Sequence, residues 1–497
     1  MPADSNESVG NDAGVAKALE ARTAAVSPPR RLGLWDAVSI IVGVVIGAGI
    51  YETAPLVFAN VNGPAEGLWV WALGGVLSLV GACCYAELAS TYPRSGGDYV
   101  YLSRAYGPWA GFLFGWSQLA VILTGSIGMM AYVFADYASH LFRTDDAHTA
   151  ALAASAVVAL TALNVASVQA GAAVQNVLSW VKVLGLLLIA LAGFGAAASS
   201  APFEARAAER LEAEGNSFGL AMILVLYTYG GWNDAAFVAA EVRDRRKNMP
   251  RALLLGTGLV TLVYLIVNAA FLSGLGFEAA RSSRAIAADV LSNPFGDAGG
   301  AVISVLVMIS ALGAVNALVF TGARVHAGLG LDFSALSVLG RWHPRFHSPV
   351  WALGCQGLIA LAMIGLLGTA VGRGAVDRAL SMVGLSPVTW SARGGFDTLL
   401  RCTAPVFWTF FLMTGISVFV LRVRDRAIAR PFRVPAYPLL PLVFCGTCLY
   451  MLVSAVEYAG RLTLIGVLLA LSGIPLYFAS KRRPGRRFFT PVESAAE

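Results

Sequence analysis

The stretch Val42–Pro55, VGVVIGAGIYETAP, decides how the chain is interpreted. It lies inside the first long apolar run, with Gly43, Gly47 and Gly49 in its middle and Glu52 shortly after them. In lipid, every backbone N–H and C=O group must find a partner within the protein. A glycine cluster at that depth therefore has two interpretations. It either lets helices pack closely through small residues, or it breaks a helix so that freed N–H groups bind an anionic part of a substrate.

The composition is that of a polytopic membrane protein. Of the 497 residues, 57% are hydrophobic and 13% are charged, whereas soluble proteins carry about 25% charged residues. The net charge of +6 indicates membrane topology rather than nucleic-acid binding, because basic residues of membrane proteins gather on the cytoplasmic side. The six cysteines and five histidines are scattered, so the sequence predicts no disulfide framework, no metal site and no cofactor.

Twelve apolar runs are long enough to cross a bilayer, which takes about 20 residues. They cover approximately 34–59, 67–91, 106–140, 149–167, 175–198, 217–240, 252–275, 298–325, 350–369, 404–421, 436–456 and 462–480. The sequence therefore predicts an all-α polytopic membrane protein with 12 transmembrane helices.

Loop charges orient these spans. With both termini in the cytoplasm, 24 of the 35 basic residues lie inside, 10 lie outside, and Lys182 lies within a span. This bias predicts a cytoplasmic, disordered N-terminal tail (1–33) and a cytoplasmic C-terminal tail (481–497). Two outer segments stand out: 199–216 alternates Glu and Arg and suggests a surface helix, and 370–403 is long enough for a small cap or a mobile loop.

A second glycine interruption occurs in the sixth span, within Tyr227–Asp234, YTYGGWND. If spans one to five and six to ten form two repeats, Gly230 and Gly231 correspond in position to the glycines of span one. Paired interruptions of this kind indicate a binding site at the middle of the membrane. Polar groups at that depth are costly and usually face a cavity. The pair therefore favours broken helices over packing at both positions.

The two interruptions, Ile46–Ile50 (IGAGI) and Tyr229–Asn233 (YGGWN), resemble those of the amino acid–polyamine–organocation transporters. The chain looks most like the L-type amino acid transporter branch and its bacterial relatives. Tyr85–Leu88 (YAEL), leading into Ser95–Tyr99 (SGGDY), matches the family's segment between spans two and three. Asn248–Ala252 (NMPRA) resembles the start of its span seven. Together these motifs are specific, although each alone is weak.

The resemblance implies the LeuT-like fold, a 5+5 inverted repeat with discontinuous helices 1 and 6. Its ten-helix transport core would cover 34–421, with repeats at about 34–198 and 217–421. Two additional transmembrane helices would follow at 436–480.

The resemblance also implies where a zwitterionic amino acid would bind, using backbone atoms at the two breaks. The carboxylate would accept from the N–H groups of Ala48, Gly49 and Ile50. The ammonium would donate to the C=O groups of Val45, Tyr227 and Gly230. Glycine suits such a site because it has no Cβ to obstruct the ligand. The family often has serine where this chain has Ala48, a change that keeps the N–H group and loses a hydroxyl contact.

The side-chain pocket has three candidates by position: Tyr227, Asn233 and Trp408. Trp408 also fits an ordinary apolar or interfacial aromatic, and Asn233 fits a hydrogen bond to an exposed carbonyl of the broken helix. Asp234 is the nearest acid, and we interpret it as a cap for the second half of helix 6. Because no other acid is placed for a cationic side chain, the sequence favours neutral amino acids.

Lys182 lies in the fifth span, within Ser179–Gly185. It either reaches for the nearer interface or, as in sodium-independent members of the family, stands in for a structural sodium ion and braces span one against span eight. Asn316 and Thr321 of span eight are its expected neighbours. The second interpretation predicts sodium-independent transport and makes Lys182 a candidate for proton coupling.

The function predicted from these features is sodium-independent transport of neutral amino acids by alternating access, as an exchanger or proton symporter. A polyamine or cationic amino acid transporter of the same fold is the alternative, and a non-transporting amino acid sensor is a third. An enzyme is not expected, because no nucleophile–base pair or cluster of His and Asp lies at a membrane face.

The predicted partners are an amino acid and the lipid bilayer, with no nucleic acid. Animal L-type transporters pair with a glycoprotein through a cysteine between spans three and four, whereas the corresponding loop Leu141–Thr149 has none. We therefore expect a stand-alone transporter without a disulfide-linked accessory glycoprotein, in the plasma membrane and of bacterial inner-membrane type.

Overall fold

The computed structural model describes residues 32–480 except 48, 95, 143–145, 199–217, 284–285, 297, 347, 383, 385, 389 and 391–393. Four of the predicted features fall outside the described residues. These are the N-terminal tail up to residue 31, Ala48, the surface helix at 199–216, and the C-terminal tail.

Regular structure in the described part of the chain is helical, apart from one isolated bridge between Leu32 and Val242. Ten of the described helices or helix combinations are long and apolar enough to cross a membrane. The number rises to eleven if α1 (Leu34–Val45) and α2 (Gly49–Ala59), which are bent by 45° at their junction, form one broken span. The prediction of an all-helical, multi-pass membrane protein is confirmed at this level.

The first half of the described chain consists of α-helices and two helical segments of other types. After α1 and α2 come α3 (Pro64–Thr91), α4 (Asp98–Tyr106), α5 (Pro108–Ser117), α6 (Leu123–Phe142), α7 (Asp146–Ala166), α8 (Val168–Ala198) and α9 (Phe218–Thr228). A π-helical segment, Gln118–Ile122, joins α5 to α6 within one span. A 3₁₀ segment, Trp232–Glu241, follows α9.

The second half contains the longest helix of the described chain, α13 (Ala298–Asp332), which has 35 residues. The helices of this half are α10 (Arg245–Leu275), α11 (Phe277–Ser282), α12 (Ile286–Phe295), α13, α14 (Val350–Gly368), α15 (Ala370–Met382), α16 (Gly394–Arg424), α17 (Leu439–Ala459), α18 (Leu462–Leu471) and α19 (Gly473–Ala479).

The predicted sixth span consists of two short pieces. Helix α9 has 11 residues and the 3₁₀ segment has 10, and a single spanning helix needs about 20. The chain between them holds Gly230 and Gly231, where the sequence predicts the interruption. In the first span, α1 ends at Val45 and α2 begins at Gly49, which is again the predicted position.

The outer segment 370–403 contains more helix than a cap or loop would. It includes α15 and the first turns of α16, so the tenth span begins near residue 395 rather than at 404. The reason is a polar first turn, in which Arg401 donates to Asp397 at 2.8 Å, one helical turn away. Paired charges of this kind interrupt an apolar run in the sequence without interrupting the helix.

The two broken spans lie side by side inside the helix bundle. Helix α1 packs against α8, α10 and α13, and α2 packs against α9. Outside the bundle, the N–H group of Arg243 donates to the C=O group of Leu32 at 2.8 Å. This bond ties the beginning of the first broken span to the end of the second.

Glu87 organises one end of the bundle. Its side chain is 3% exposed, and it accepts from Arg422 of α16 at 2.5 and 2.8 Å. Arg430 approaches it at 3.3 Å, and the N–H group of Val434 donates to it at 2.7 Å. The sequence suggests a helix-end or gate-side hydrogen bond here, and the structure makes Glu87 the centre of a buried network that joins α3, α16 and the connection to α17.

Candidate substrate-binding site

A cavity of about 160 Å³ lies between the two helix breaks. This is roughly ten times the space that one water molecule requires, so the cavity suits a small organic molecule. Its wall includes Gly47 and Gly49 from the first break and Gly230 and Gly231 from the second. Residues of the π-helical segment, α6, α13 and α16 complete it.

The first break is a tight turn that exposes the beginning of a helix. After α1 ends, the N–H group of Gly47 donates back to the C=O group of Val45 at 2.8 Å. A Cβ on Gly47 would meet nothing closer than 3.9 Å, so this residue faces open space. Helix α2 then starts at Gly49, and the first N–H groups of a helix have no acceptor within it. Gly49 lines the cavity, so this helix start is placed where an anionic group would bind favourably.

The second break depends on glycine at one position. The N–H group of Gly230 donates to the C=O group of Tyr227 at 2.9 Å, which closes the last turn of α9. Gly231 has a φ of +102°, a conformation that side chains with a Cβ rarely adopt. A Cβ there would also lie 2.7 Å from Cγ1 of Val44 in α1. Gly231 therefore allows both the turn and the close approach of the two broken spans.

Tyr264 of α10 connects the two breaks. Its hydroxyl lies 2.8 Å from the C=O group of Val45 and 3.3 Å from the C=O group of Thr228, the last residues of α1 and α9. The side chain is fully buried, and its ring packs against Trp71 and Tyr229 at centroid distances of 5.6 and 5.1 Å. One hydroxyl thus serves the carboxyl ends of both half-helices.

A threonine pair forms a second connection. The hydroxyls of Thr53 in α2 and Thr228 in α9 lie 2.8 Å apart. Thr53 also approaches the C=O group of Gly49 at 2.7 Å, and Thr228 that of Leu224 at 2.8 Å. Helix α2 is thereby held against α9.

The structure brings together most of the predicted substrate-binding residues. Those that line the cavity are Val45, Gly49, Tyr227, Gly230, Asn233 and Trp408. Ile50 is fully buried in the core and is not part of the described cavity wall. Ala48 lies outside the described residues.

Two of the carbonyl groups predicted to bind an ammonium already accept hydrogen bonds. Val45 accepts from Gly47 N–H and from the Tyr264 hydroxyl, both at 2.8 Å, which occupies both lone pairs of its oxygen. Tyr227 accepts from Gly230 N–H. An ammonium that binds to Val45 would therefore replace one of these donors.

The side-chain candidates have different surroundings. Tyr227 directs its hydroxyl to Sδ of Met129 at 3.4 Å, and its ring meets Phe396 edge-on. Trp408 is 7% exposed and packs against Phe411 at 5.7 Å. These contacts give the cavity an aromatic, apolar side suited to hydrocarbon side chains.

Asn233 and Asp234 form the polar side. Asn233 is 4% exposed, and its Oδ1 atom has no hydrogen-bond partner among the described residues. Asp234 also lines the cavity, and the 3₁₀ segment has no side-chain cap. The N-cap position is Gly231, which has no side chain, and Asp234 is an acid in the first turn of the segment that also lines the cavity.

Lys182 lies deep in the bundle rather than at an interface. It is 2% exposed, and its Nζ atom donates to the C=O group of Gly43 in α1 at 2.9 Å. A Cβ on Gly313 of α13 would lie 2.7 Å from its Cε atom, so Lys182 also contacts the eighth span. Asn316, its expected neighbour, instead bonds Asn164, Gly171 and Gln175 at 2.8 to 3.0 Å, and Thr321 bonds Ala317 at 2.8 Å.

Sequence reasoning missed Tyr264 and the Thr53–Thr228 pair. Tyr264 carries a hydroxyl in the middle of an apolar run, which is the one signal that would have drawn attention to it. The threonines carried no signal, because a threonine hydroxyl in a helix often bonds the carbonyl one turn back.

The chain matches known proteins over most of its length. The model of the amino acid permease family matches residues 32–476. The chain is 28% identical to the mouse b(0,+)-type amino acid transporter 1, over 90% of this chain and 87% of that protein. It is also 28% identical to the serine/threonine exchanger SteT of Bacillus subtilis, over 91% of this chain and 97% of that protein. Mouse large neutral amino acids transporter small subunit 2 is 29% identical, over 91% and 81%.

These relatives are named transporters and not enzymes, which confirms the expectation of a membrane transporter. The family match covers most of the chain, including both helix breaks, Lys182 and Tyr264. The chain belongs to the amino acid permease family.

Proposed function

We propose that this protein is a sodium-independent amino acid transporter that works by alternating access, as an exchanger or a proton symporter. The observation that carries the proposal is the cavity between two broken helices, whose wall contains Gly47 and Gly49 on one side and Gly230 on the other. The relatives' names support amino acids as substrates.

The two breaks recognise the common part of every amino acid. The carboxylate binds the N–H groups that the family resemblance implies, those of Ala48, Gly49 and Ile50, and of these Gly49 lines the described cavity. The C=O groups at the breaks bind the ammonium. The apolar side of the cavity, with Trp408, Tyr227 and Met129, accepts neutral side chains.

The proposed architecture has twelve spans, with α9 and the 3₁₀ segment as the broken sixth and α1 and α2 as the broken first. The core of 34–421 forms a 5+5 inverted repeat, and 436–480 adds two helices. Both termini lie in the cytoplasm, and the transporter functions without an accessory glycoprotein. Rocking of the broken helices against the other spans would open the cavity to each side in turn.

Lys182 takes the part of a sodium ion in this proposal. Its ammonium group holds the C=O group of Gly43 and lies against Gly313, so it braces α1 against α13. Because this ammonium group is part of the protein, transport would not require a sodium ion from solution.

The test is uptake by the purified protein in liposomes. A panel of labelled amino acids is measured with and without sodium, with a proton gradient, and with amino acid inside the vesicles. Uptake that is independent of sodium is expected, and its response to internal amino acid or to the proton gradient separates exchange from symport. Failure to take up any amino acid contradicts the proposal, and strict sodium dependence contradicts the part assigned to Lys182.

A further inference from the structure

Two glycines of the SGGDY motif pack against the 3₁₀ segment of the second break. The N–H group of Gly96 donates to the C=O group of Phe237 at 3.1 Å. Gly97 has a φ of +47°, and a Cβ there would lie 2.8 Å from Cδ1 of Phe237. Glycine therefore permits both the turn and its close approach to the 3₁₀ segment. The turn places Asp98 at the beginning of α4, beside the broken span.

Asp98 is a buried acid without a basic partner. It is 2% exposed and, unlike Glu87, it forms no ion pair among the described residues. Its Oδ1 atom accepts from the hydroxyls of Tyr85 in α3 and Thr414 in α16, the second at 2.7 Å. Both bonds suit an ionised carboxylate, which can only accept. Side chains from two other helices thus fix the position of this carboxyl group.

The side-chain amide of Asn233 also donates to Asp98. This bond determines which end of the amide faces the carboxyl group, because a reversed amide would set its oxygen against the carboxylate, acceptor against acceptor. The Oδ1 atom of Asn233 is then the free end. It has no hydrogen-bond partner among the described residues, and its side chain is buried and lines the cavity. A buried acceptor of this kind is costly unless a ligand supplies a donor.

We propose that Asp98 is a positioning residue for the substrate: its carboxylate holds the Asn233 amide so that Oδ1 is free to accept from the α-ammonium group of the bound amino acid. The inference rests on the proposed function. It supplies an acceptor that the first break lacks, because both lone pairs of the Val45 carbonyl oxygen are already occupied. A proton on Asp98 would remove this control, since a neutral carboxyl group both donates and accepts and tolerates either end of the amide.

The surroundings of Asp98 set the pH at which this control is lost. Asp98 precedes the third span. Burial raises its pKa to about 6, although the hydrogen bonds from Tyr85 and Thr414 favour the ionised form. The other titratable groups that face it in the described chain are Tyr101 of its own helix and Asp234 of the 3₁₀ segment. Above this pKa the carboxylate holds the amide, and below it the carboxyl group is neutral. Substrate affinity should therefore fall as the pH drops through about 6.

The test measures uptake of labelled leucine and serine by liposomes with the same pH on both sides, so that no proton gradient drives transport. KM and the maximal rate are determined from about pH 5 to about pH 8, a range that spans the titration of a buried carboxyl group. For the unmodified protein we expect KM to rise about fivefold at the acidic end, as for the loss of one hydrogen bond. Asp98→Asn should show the raised KM at every pH, with little change in the maximal rate.

Two further variants separate positioning from a structural role. Asp332→Asn is the matched control, because Asp332 is also buried and accepts from a tyrosine hydroxyl, that of Tyr99, at 2.6 Å. It should keep the pH profile of the unmodified protein. Thr414→Val removes a hydrogen bond that favours ionised Asp98, so the midpoint of the KM change should move to higher pH by about one unit. This variant also tests the inference if Asp98→Asn yields little folded protein.

Several outcomes would overturn the inference while leaving amino acid transport intact. The first is a pH profile in Asp98→Asn that parallels that of the unmodified protein. A lower maximal rate with unchanged KM in Asp98→Asn would indicate a structural role instead, and an unchanged midpoint in Thr414→Val would contradict titration of Asp98. Loss of the pH dependence in Asp234→Asn but not in Asp98→Asn would assign the proton to the cavity wall.

Failure of the proposed function looks different. Folded, unmodified protein that takes up no amino acid at any pH contradicts transport itself. Uptake that is present and independent of pH contradicts only the part assigned to Asp98.

Discussion

The hydroxyl of Tyr264 lies 2.8 Å from the carbonyl oxygen of Val45, across 219 positions of the sequence. The same hydroxyl reaches the carbonyl of Thr228 at 3.3 Å. These two carbonyls end α1 and α9, so one side chain of an unbroken helix sets the relative position of both breaks. The geometry of the cavity depends on a residue that does not line it.

Tyr264→Phe should therefore impair transport more than folding. Removal of one buried hydroxyl that serves two carbonyl groups costs about 1–3 kcal/mol of stability, and the two half-helices lose their common contact. Tyr132→Phe is the matched control, because the buried Tyr132 hydroxyl donates to the C=O group of Ile364 at 3.1 Å and the residue lies in neither break nor the cavity wall. We expect similar losses in Tm for the two variants and a large loss of uptake only for Tyr264→Phe. Equal uptake by both variants would show that the contacts of the Tyr264 hydroxyl with Val45 and Thr228 are not needed for transport.

The breaks themselves could be predicted from the sequence, because their cause is local. Gly231 adopts a positive φ, and Gly47 and Gly49 place no Cβ at the cavity. Both effects follow from the missing Cβ of glycine, which the sequence alone reveals. Apolar runs in the same way give the positions of most spans. The sequence predicts the start of the tenth span at residue 404, which is too far along the chain. A hydropathy average counts Asp397 and Arg401 as two charges, whereas in the structure they form an ion pair within the helix.

The interior of the site could not be predicted, because it depends on contacts between distant positions. Tyr264 meets Val45 only after α10 packs against α1. Asp234 reaches the cavity wall only because its segment packs against α1 and α13 in the folded bundle. Asn316, one turn from Gly313 on α13, completes a network with Asn164 and Gln175. None of these contacts can be predicted from a short sequence motif.

Lys182→Met should reduce transport strongly without unfolding the protein. Methionine keeps much of the length of the side chain and fills the space against Gly313, but it cannot donate to the C=O group of Gly43. The brace between α1 and α13 is then lost. We expect uptake to fall by about tenfold or more, since a buried hydrogen bond to a charged group contributes about 1.5–3 kcal/mol.

Lys247→Met is the control for this change, because Lys247 is exposed at the start of α10. Its uptake should equal that of the unmodified protein. Normal uptake by Lys182→Met, measured in sodium-free liposomes, would contradict the brace. Uptake that sodium restores in Lys182→Met would strengthen it, because an ion would then replace the missing ammonium group.

Two glycine substitutions should separate folding from binding. Gly231→Ala places a Cβ 2.7 Å from Val44 in a residue with φ of +102°, so it should lower Tm and the yield of folded protein. Gly47→Ala meets nothing closer than 3.9 Å, so it should leave Tm nearly unchanged. Its methyl group lies at the cavity, however, and we expect the KM for amino acid uptake to rise.

Gly446→Ala in α17 controls for the change of residue type, because a Cβ there has no neighbour within 4 Å. Thermal unfolding and uptake are measured for all three variants. A fall in Tm for Gly47→Ala as large as that for Gly231→Ala would indicate that the first glycine cluster serves helix packing rather than substrate binding. Unchanged KM in Gly47→Ala would place the substrate elsewhere.

Glu87→Gln should destabilise the protein more than any change of an exposed acid. The substitution keeps the size of the side chain but removes the charge that Arg422 and Arg430 approach at 2.5 and 3.3 Å. Arg422 would remain against the ring of Tyr437 at 3.8 Å, with its main anionic partner gone. Breaking a buried ion pair on one side costs about 3–5 kcal/mol, because the remaining charge stays buried. Glu278→Gln, which removes an acid with an 83% exposed side chain, should leave Tm unchanged. Glu87→Asp should not restore stability. Glu87 also accepts from the N–H group of Val434 at 2.7 Å, and the shorter side chain of aspartate cannot reach all of these donors.

Equal Tm values for Glu87→Gln and Glu278→Gln would contradict this prediction. They would show that the Glu87 network contributes no more stability than an exposed ion pair and does not hold α3, α16 and α17 together.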